Sequence, residues 1–221
     1  MYENKHERPQ NDIIKVTAVL TMTIDHIGAF LFPQYIILRI IGRFAMPVFA
    51  YGTAIGTIRS KKPERYLLRL LLFAVISQVP YNLVGSKGAS VISTIFITAL
   101  FLYLIKKDKV LYYILSLIPL IISFVVPMDY GTYFLAIAFA IYLFRDKMVL
   151  AFAAGSAITI LLSLAGHVHP LQMFSMIGLF FACFQGSDLL ACKLPAVKIN
   201  KYFFYVYYPL HLLIIYIIKI Y

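Results

Sequence analysis

The sequence predicts an all-α protein, a polytopic transmembrane helix bundle of about nine spans. Three features of the 221 residues support this prediction: 62% are hydrophobic, only 13% are charged, and apolar runs follow one another almost without a break. The mean hydropathy of +0.87 agrees with a chain whose surroundings are lipid. We therefore expect a single transmembrane domain over residues 13–221, preceded by a polar cytoplasmic tail over residues 1–12, with the lipid bilayer as its partner.

Hydropathy and turn residues divide this domain into spans. A helix needs roughly 20 apolar residues to cross a bilayer, and most of the apolar runs approach that length. Short polar connections separate them, as in a compact bundle. The predicted spans cover residues 13–32, 35–58, 65–84, 89–105, 110–126, 130–144, 148–165, 170–186 and 202–220.

The basic residues orient the bundle. The formal net charge is +11, but the Lys and Arg residues lie mainly in the connections between spans. Fifteen of the 20 basic residues fall on one side of a nine-span arrangement, which predicts that this side is cytoplasmic. The N-terminus is then cytoplasmic and the C-terminus is outside. Because the charge marks topology, we do not expect the protein to bind nucleic acid.

An acid and an imidazole, Asp25 and His26, interrupt the first apolar run. A charged side chain at the centre of a spanning helix costs about 2.5 kcal/mol or more, so Asp25 needs a partner and marks a candidate functional site. At about 1.5 Å per residue, Arg43 on the second span lies at the level of Asp25. We expect these two side chains to form an ion pair, with Arg39 one turn away on the same face. A purely structural ion pair is the alternative.

Polar side chains of other spans fall at the same level when depth is counted in this way. Pro80 is expected to break the third span and free backbone carbonyls, which lipid tolerates only beside a cavity. Tyr207 and His211 share one face of the last span. The other polar side chains that we expect near Asp25, in the outer half of the membrane, are those of Ser77, Asn82, Asp129, Tyr208 and His211.

Two weaker patterns have simpler interpretations. Gly52 and Gly56 form a GxxxG spacing, which is typical of closely packed transmembrane helices. His167 and His169 lie two residues apart in an outer turn and have no evident third ligand. We therefore expect no metal site.

Five segments, taken in order along the chain, resemble motifs of the TraX family of bacterial membrane proteins. They are Thr23-Ile24-Asp25-His26-Ile27-Gly28, Leu38-Arg39-Ile40-Ile41-Gly42-Arg43-Phe44-Ala45-Met46-Pro47-Val48-Phe49-Ala50, Ser77-Gln78-Val79-Pro80-Tyr81-Asn82-Leu83, Asp129-Tyr130-Gly131 and Tyr207-Tyr208-Pro209-Leu210-His211-Leu212. The resemblance covers nearly the whole chain, and its first two motifs are the most specific. Where we expect an Asn-rich opening of the fourth span, this chain has Ser90-Val91-Ile92-Ser93-Thr94.

This resemblance implies an integral-membrane acyltransferase of the bacterial inner membrane. The family is named for a member that acetylates the amino terminus of conjugative pilin, and it resembles other membrane acyltransferases that use acetyl-CoA. The implied partners are therefore acetyl-CoA as acyl donor and an acceptor peptide, pilin-like N-terminus or small amine. The motif positions are Asp25, His26, Arg39, Gly42, Arg43, Pro47, Ser77, Pro80, Asn82, Asp129, Tyr208, Pro209 and His211.

Acyl transfer to an amine needs a base, and His26 is the best base in the chain. Successive residues of a regular helix point about 100° apart, so we assign Asp25 to Arg43 and expect His26 to face an open chamber. A helix deformed at Gly28 would instead allow an Asp25–His26 dyad. Direct transfer and a route through an acetyl-His26 intermediate both remain open.

The predicted roles divide the site into three parts. The catalytic residues are His26 and Asp25. The acceptor is expected to contact Arg39, Arg43, Ser77, Asn82, Asp129, Tyr208 and His211, and the CoA phosphates are expected near Lys61, Lys62, Arg65, Arg69 and Lys201 on the cytoplasmic side.

Two other classes of protein also use such residues. A proton-coupled transporter places Asp, His and Arg inside the membrane, but it is expected to show repeated halves, and no second Asp-His or Arg-x-x-x-Arg element follows in the later half. A haem-binding electron carrier would use His26 and His211 as axial ligands.

Overall fold

The computed structural model describes residues 12–185 and 199–221, without the side chain of Lys201. This part of the chain contains α-helices, one short 3-10 helix over Pro170–Phe174 and no β-strand, which confirms the all-α prediction. The α-helices are α1 (Ile13–Phe30), α2 (Ile36–Gly42), α3 (Ala45–Arg59), α4 (Pro63–Leu83), α5 (Val91–Lys106), α6 (Val110–Val125), α7 (Gly131–Leu143), α8 (Met148–Leu164), α9 (Ser175–Phe184) and α10 (Lys201–Ile220). Most of the predicted tail, residues 1–11, lies outside the described residues.

Four described segments are long and apolar enough to cross a bilayer: Ile13–Phe30, Ile36–Arg59, Pro63–Leu83 and Tyr202–Ile220. Five shorter apolar helical segments, of 10–17 residues, lie between them. Each coincides with one of the predicted spans, with ends that differ by a few residues. The protein is therefore a membrane protein, while the number of nine spans remains a prediction.

The second span is interrupted at Arg43 and Phe44, where one continuous helix was predicted. Pro47 explains the break, because proline has no N–H and its ring crowds the carbonyl four residues earlier, that of Arg43. The amides of Arg43 and Phe44 instead donate to the carbonyls of Ile40 and Ile41, three residues back, as in a 3-10 turn. The chain thus changes direction at the residue that pairs with Asp25.

Two smaller expectations about the helices need correction. Pro80 does not break the third span, because α4 continues past it to Leu83, and only the hydrogen bond that its missing N–H would make to the carbonyl of Ile76 is lost.

Of the GxxxG pair, Gly52 makes no close helix contact, since no described atom lies within 4 Å of an added Cβ, whereas a Cβ on Gly56 would lie 3.2 Å from the hydroxyl of Tyr66 in α4. A closer approach to backbone is made by Gly178 of α9, which packs against Phe44 at the break between α2 and α3.

Helices α1, α4 and α10 run parallel to one another. Thr23 of α1 hydrogen-bonds Tyr207 of α10 at 2.8 Å, and the rings of Phe73 of α4 and Tyr205 of α10 stack at 5.0 Å. Towards the other end, the ammonium of Lys219 donates to the carbonyl of Val84 at 3.0 Å. The N-terminal ends of the three helices therefore lie on one side, next to the basic connection at residues 60–62.

Helices α3 and α7 form the centre of the bundle. Helix α3 packs against α1, α5, α7 and α9, and α7 packs against α3, α5, α6 and α8. Phe134, Ile137 and Ile141 of α7 are almost completely buried. Helix α7 carries no charged side chain, so its position inside the bundle leaves no charge unpaired.

Helix α6 shows that the outer surface faces lipid. Its buried residues are Ser116, Pro119 and Ser123, whereas its exposed face consists mainly of large apolar residues. Both serine hydroxyls donate to carbonyls of their own helix, at 2.7 Å, so their burial leaves no donor unsatisfied. This distribution is the reverse of that on a surface helix in water and matches a helix between protein and lipid.

The orientation can be tested by labelling single cysteines in a variant whose native Cys183 and Cys192 are replaced by serine. Because Lys87 lies in the connection at the outer ends of α4 and α5, Lys87→Cys should react with a membrane-impermeant maleimide in intact cells. Lys109→Cys, between α5 and α6, should react only after the membrane is permeabilised. Both positions are exposed, so reversed labelling would contradict the predicted orientation.

Candidate active site

The predicted ion pair between Asp25 and Arg43 is present and is extended by Arg39. Arg43 Nη2 donates to Asp25 Oδ1 at 2.8 Å, and Arg39 Nη1 donates to Oδ2 at 2.7 Å. Arg43 also donates from Nε to the backbone carbonyl of Arg39 at 3.0 Å. Two guanidinium groups therefore satisfy both oxygens of one buried carboxylate, which is the arrangement that makes a charge tolerable in a bilayer.

Gly42 makes this ion cluster sterically possible. A Cβ at this position would overlap Asp25, so only glycine lets α2 approach α1 at the level of the carboxylate. One turn further out, a Cβ on Gly28 would lie 2.7 Å from the Cβ of Leu38. The glycines of the first two motifs thus set the α1–α2 distance.

Helix α1 is regular through Asp25 and His26, so the two side chains point in different directions. Asp25 contacts the two arginines, and His26 contacts His211 of α10. The structure therefore contains no Asp25–His26 dyad. Asp25 is a charge partner of the arginines, and any role in catalysis would act through them.

The two imidazoles of His26 and His211 form a direct hydrogen bond. His26 Nδ1 lies 2.7 Å from His211 Nε2, and the rings stack with their centroids 5.0 Å apart. This contact corrects the expectation that His26 stands free in a chamber. It arises because α1 and α10 are parallel neighbours, which the sequence alone did not indicate.

The hydrogen bonds of His211 define the tautomers of the pair. His211 Nδ1 lies 3.0 Å from the carbonyl oxygen of Tyr207, which can only accept, so Nδ1 carries the proton. In a neutral ring Nε2 of His211 is then an acceptor, and His26 Nδ1 donates to it. Nε2 of a neutral His26 therefore carries a lone pair, and no described residue hydrogen-bonds it. This is the arrangement of a base whose orientation is fixed by a second group.

Aromatic residues surround the imidazole pair. Tyr207 stacks on His211 at 5.3 Å, and Tyr208 packs edge-on against His26 and His211 at 6.1 and 5.4 Å. The ring of Phe30 lies 5.9 Å from that of His26. Tyr208 is buried, and its hydroxyl makes no hydrogen bond of good geometry with a described residue, although the Val91 backbone is close.

A second polar layer lies between α4, α5 and the connection that precedes α7. Tyr81 donates to Asp129 Oδ1 at 2.8 Å, and Thr94 donates to the backbone carbonyl of Asp129 at 2.7 Å. Thr94 thus supplies a polar contact at the opening of the fourth span, where the sequence has no asparagine. Burial raises the pKa of Asp129 above its ordinary value, and the hydrogen bond from Tyr81 opposes this shift.

Two cavities adjoin these groups. The first, called the outer cavity because it lies on the side predicted to be outside, has a volume of about 400 Å³ and lies between the connection before α7 and the segment before α9. Its polar lining consists of Ser123, Tyr130, Tyr133, His167, His169 and Gln172. Tyr130 leads from it to the ion cluster, because its hydroxyl lies 3.3 Å from Arg43 Nη1. This contact joins the lining of the cavity to Arg43.

The lateral cleft, of about 190 Å³, lies between α1 and α10. It is lined by Thr23, Ile27 and Leu31 of α1 and by Tyr207, Leu210, His211, Ile214, Ile215 and Ile218 of α10. His211 therefore borders a space that is otherwise mainly apolar.

The residues predicted to contact the acceptor do not all lie together. Arg39, Arg43, Asp129, Tyr208 and His211 lie in or beside the polar layers described above. Ser77 is completely buried in α4, and its hydroxyl has no partner among the described residues. Asn82 lies outside these layers. It is exposed and accepts a hydrogen bond from Gln78, which also holds the 84–90 connection through Gly88 and Ser90.

The predicted CoA-binding residues lie at the end of the bundle that is predicted to be cytoplasmic. Lys61, Lys62 and Arg65 are exposed there, and none of them lines either cavity. Arg69 is deeper in α4, with its guanidinium carbon 5.8 and 5.6 Å from the ring centres of Tyr66 and Tyr205. Its Nε is buried without a partner among the described residues. The side chain of Lys201 lies outside the described residues.

Several residues of the site were not among the predicted site residues. Tyr81, Tyr130, Thr23 and Tyr207 connect the helices, yet tyrosine is so frequent in this chain, with 17 residues, that none stands out by type. Thr23, Tyr81, Tyr130 and Tyr207 all fell within the motif segments, which was the available signal. Gln172, buried with an unpartnered Oε1 beside the outer cavity, had no such signal.

The imidazole geometry does not match the haem alternative. A metal bound between two imidazoles lies about 2.0–2.1 Å from each nitrogen, which separates the nitrogens by about 4 Å. The 2.7 Å between His26 Nδ1 and His211 Nε2 leaves no room for a metal between these atoms.

Comparison with known proteins supports the motif resemblance. A family model described as TraX protein matches residues 10–219. An uncharacterized protein of Rickettsia prowazekii (strain Madrid E) is 46% identical over 68 residues, which are 31% of this chain and 25% of that protein. The probable fimbrial assembly protein FimC, serogroup H1, of Dichelobacter nodosus is 36% identical over 74 residues, 31% of this chain and 30% of that protein. The alignments thus span less than a third of each relative. No solved structure matches the chain.

Gly42→Ala should destabilise the protein, because the added methyl group overlaps Asp25 and would push α2 from α1. We expect the free energy of unfolding to fall by about 1–3 kcal/mol, the usual cost of overpacking. Gly52→Ala is the matched control. Its methyl group meets no described atom, and alanine favours a helix interior by up to about 1 kcal/mol. Thermal unfolding in detergent compares the variants, and equal midpoints would contradict the close approach.

Loss of Arg43 should cost more stability than loss of Arg39, because the Arg43 side chain is 8% exposed and that of Arg39 is 31% exposed. We expect Arg43→Gln to lower the free energy of unfolding by about 3–5 kcal/mol, the range for breaking a buried ion pair. Arg39→Gln should cost about 1–2 kcal/mol. Denaturant unfolding of the two variants provides the measurement, and the reverse order would show that Arg39 is the principal partner of Asp25.

Proposed function

The chain belongs to the TraX family, and from this premise we propose that it is an acyltransferase of the bacterial inner membrane that moves an acetyl group from acetyl-CoA to an amine. The amine, on a peptide, a pilin-like N-terminus or a small molecule, is reached from the outer side. The family's link to pilin acetylation and the fimbrial assembly name of one relative support this proposal. The observation that carries it is the His26–His211 pair.

The imidazole pair has the properties that amide formation requires. The amine nitrogen attacks the thioester carbonyl, so that an N–C bond forms and the C–S bond breaks. Nε2 of His26 accepts the proton that the amine loses and returns it to the sulfur of the leaving CoA. His211 acts as a positioning residue, because its Nε2 holds the proton of His26 on Nδ1.

A hydrogen-bond donor packs against the imidazole pair, as this reaction requires. Negative charge develops on the carbonyl oxygen as the amine attacks, and a preorganised donor lowers the energy of that state. Tyr208 packs against both imidazoles and retains an unpartnered hydroxyl proton. We assign it as the donor to this oxygen.

The donor is proposed to approach from the cytoplasmic end. Arg69 is the predicted phosphate ligand that lies deepest in the helix bundle, level with Tyr205. Tyr205 is six residues before His211 on α10, about 9 Å along the helix axis. The unpartnered Nε of Arg69 leaves a donor available for a phosphate oxygen or an amide of the CoA arm.

The acceptor is proposed to approach through the outer cavity. The cavity is polar, and Tyr130 connects it with Arg43 and thereby with the Asp25 cluster. Asp129 provides a second carboxylate beside this route, within the electrostatic field of Asp25, Arg39 and Arg43. A carboxylate near the route favours a cationic amine.

A proton-coupled transporter is the second candidate function. The interrupted helix α2–α3 favours it, because discontinuous helices with charged residues at the break form substrate sites in many transporters. Acyl transfer by the purified protein distinguishes the two functions, since a transporter would release no CoA.

Transfer can be measured with purified protein, radiolabelled acetyl-CoA and a pentapeptide that has a free amino terminus. His26→Ala should lower turnover by about 10²–10⁴-fold, the usual contribution of a general base. His211→Ala should lower it less, and His211→Gln should restore part of the loss, because the glutamine oxygen can accept the proton of His26 Nδ1.

Two controls accompany this assay. The same peptide with an acetylated amino terminus should accept no label. Phe30→Leu removes a ring packed on His26 but keeps the imidazole, so it should retain most of the turnover. Full turnover by His26→Ala would show that His26 is not the base, and no label transfer by the wild-type protein would contradict acetyl transfer to a peptide amine.

A further inference from the structure

The lateral cleft is continuous with the imidazole pair. His211 lines it and hydrogen-bonds His26, and the bond between Thr23 and Tyr207 joins α1 to α10 about one turn nearer the cytoplasm. Beyond His211 the lining is entirely apolar, formed by isoleucines and leucines of the two helices. A molecule that reaches the imidazoles therefore meets a polar end and an apolar extension of the same space.

The apolar extension points away from the predicted CoA site. Helices α1, α4 and α10 run parallel, and Arg69 lies on the cytoplasmic side of His211, beside Tyr205. The cleft continues from His211 in the opposite direction, past Ile214 to Ile218. A thioester at the imidazoles with its CoA portion on the cytoplasmic side would direct its acyl chain along this extension.

The size of the cleft suits an alkyl chain. One turn of an α-helix about 10 Å wide occupies roughly 400 Å³, twice the 190 Å³ of the cleft, so a helical peptide does not fit. A methylene group is similar in size to a water molecule, which occupies about 30 Å³. The cleft thus accommodates roughly six methylene groups. It contains no charged residue among its lining positions that would oppose a hydrocarbon.

We propose that the lateral cleft holds the alkyl chain of the acyl donor, and that the protein binds, besides acetyl-CoA, acyl-CoA thioesters with chains of up to about eight carbons. This inference rests on the proposed acyl transfer and specifies its donor. The bonds formed and broken are the same as in acetyl transfer. An N–C bond to the amine replaces the thioester C–S bond, and the amine proton passes to the CoA sulfur.

The proposal is tested by measuring the dissociation constants of CoA, acetyl-CoA, butyryl-CoA, hexanoyl-CoA and octanoyl-CoA for the purified protein by titration calorimetry. Burial of each methylene group should tighten binding by roughly fourfold, up to about eight carbons. The gain should then level off, because longer chains leave the cleft for lipid or detergent. This binding measurement can be made without identifying the acceptor.

Ile214→Trp and Ile217→Trp form a matched pair of variants. The two residues are 48% and 52% exposed on α10, but only Ile214 lines the cleft. A tryptophan at position 214 should fill the cleft and abolish the hexanoyl-to-acetyl affinity ratio, whereas Ile217→Trp should retain the wild-type ratio. Ile218→Trp, at the far end of the cleft, should reduce the gain for octanoyl-CoA more than for butyryl-CoA. Partition of the chains into detergent affects all the proteins equally.

The outcomes separate the two hypotheses. If acetyl-CoA binds and longer chains bind no more tightly, the cleft proposal is overturned and acetyl transfer stands. If the gain with chain length is the same in Ile214→Trp as in the wild-type protein, the chain lies elsewhere and the proposal is overturned. If neither CoA nor any thioester binds, the proposed function fails and the inference fails with it.

Discussion

The neutralisation of one carboxylate inside the bundle organises the rest of the structure. Asp25 cannot remain charged in a low-dielectric environment without partners, and Arg39 and Arg43 supply two donors to its two oxygens. Both arginines come from the next span, which forces α2 to lie directly against α1. Gly42 permits that approach, and Pro47 turns the chain at Arg43. The ion cluster is therefore the result of local backbone chemistry as much as of charge.

The cluster also fixes the position of the imidazole pair. Because α1 is regular, anchoring Asp25 against α2 directs the following residue, His26, towards α10 instead. The parallel packing of α1 and α10 then brings His211 to the same level. Helix α1 thus presents the carboxylate of Asp25 to α2 and the imidazole of His26 to α10. The two side chains are kept apart, so Asp25 does not form an ion pair with a protonated His26. In the proposed reaction this separation leaves His26 unprotonated and ready to accept a proton.

The two cavities differ in polarity in a way that would suit the two substrates of the proposed acyl transfer. The outer cavity is polar and leads through Tyr130 to the arginines, whereas the lateral cleft is apolar and leads to His211. An amine and a hydrocarbon chain would be recognised by these different surroundings. The lipid-facing surface, typified by α6 with its small buried and large exposed residues, allows such a cleft to open sideways without exposure to water.

Composition, the positions of basic residues and the spacing of polar residues in apolar runs determined the helical class, the helix positions and the Asp25–Arg43 pair. These features depend on local chemistry: a chain with so much apolar surface must form helices in lipid, and a charge inside it must be paired. Only the tertiary structure decided that His26 pairs with His211, that Asn82 points to the surface and that Thr94 contacts Asp129. Helix order along the chain does not reveal which helices are neighbours, and a contact across 185 residues, such as His26 to His211, arises from packing that no local pattern records.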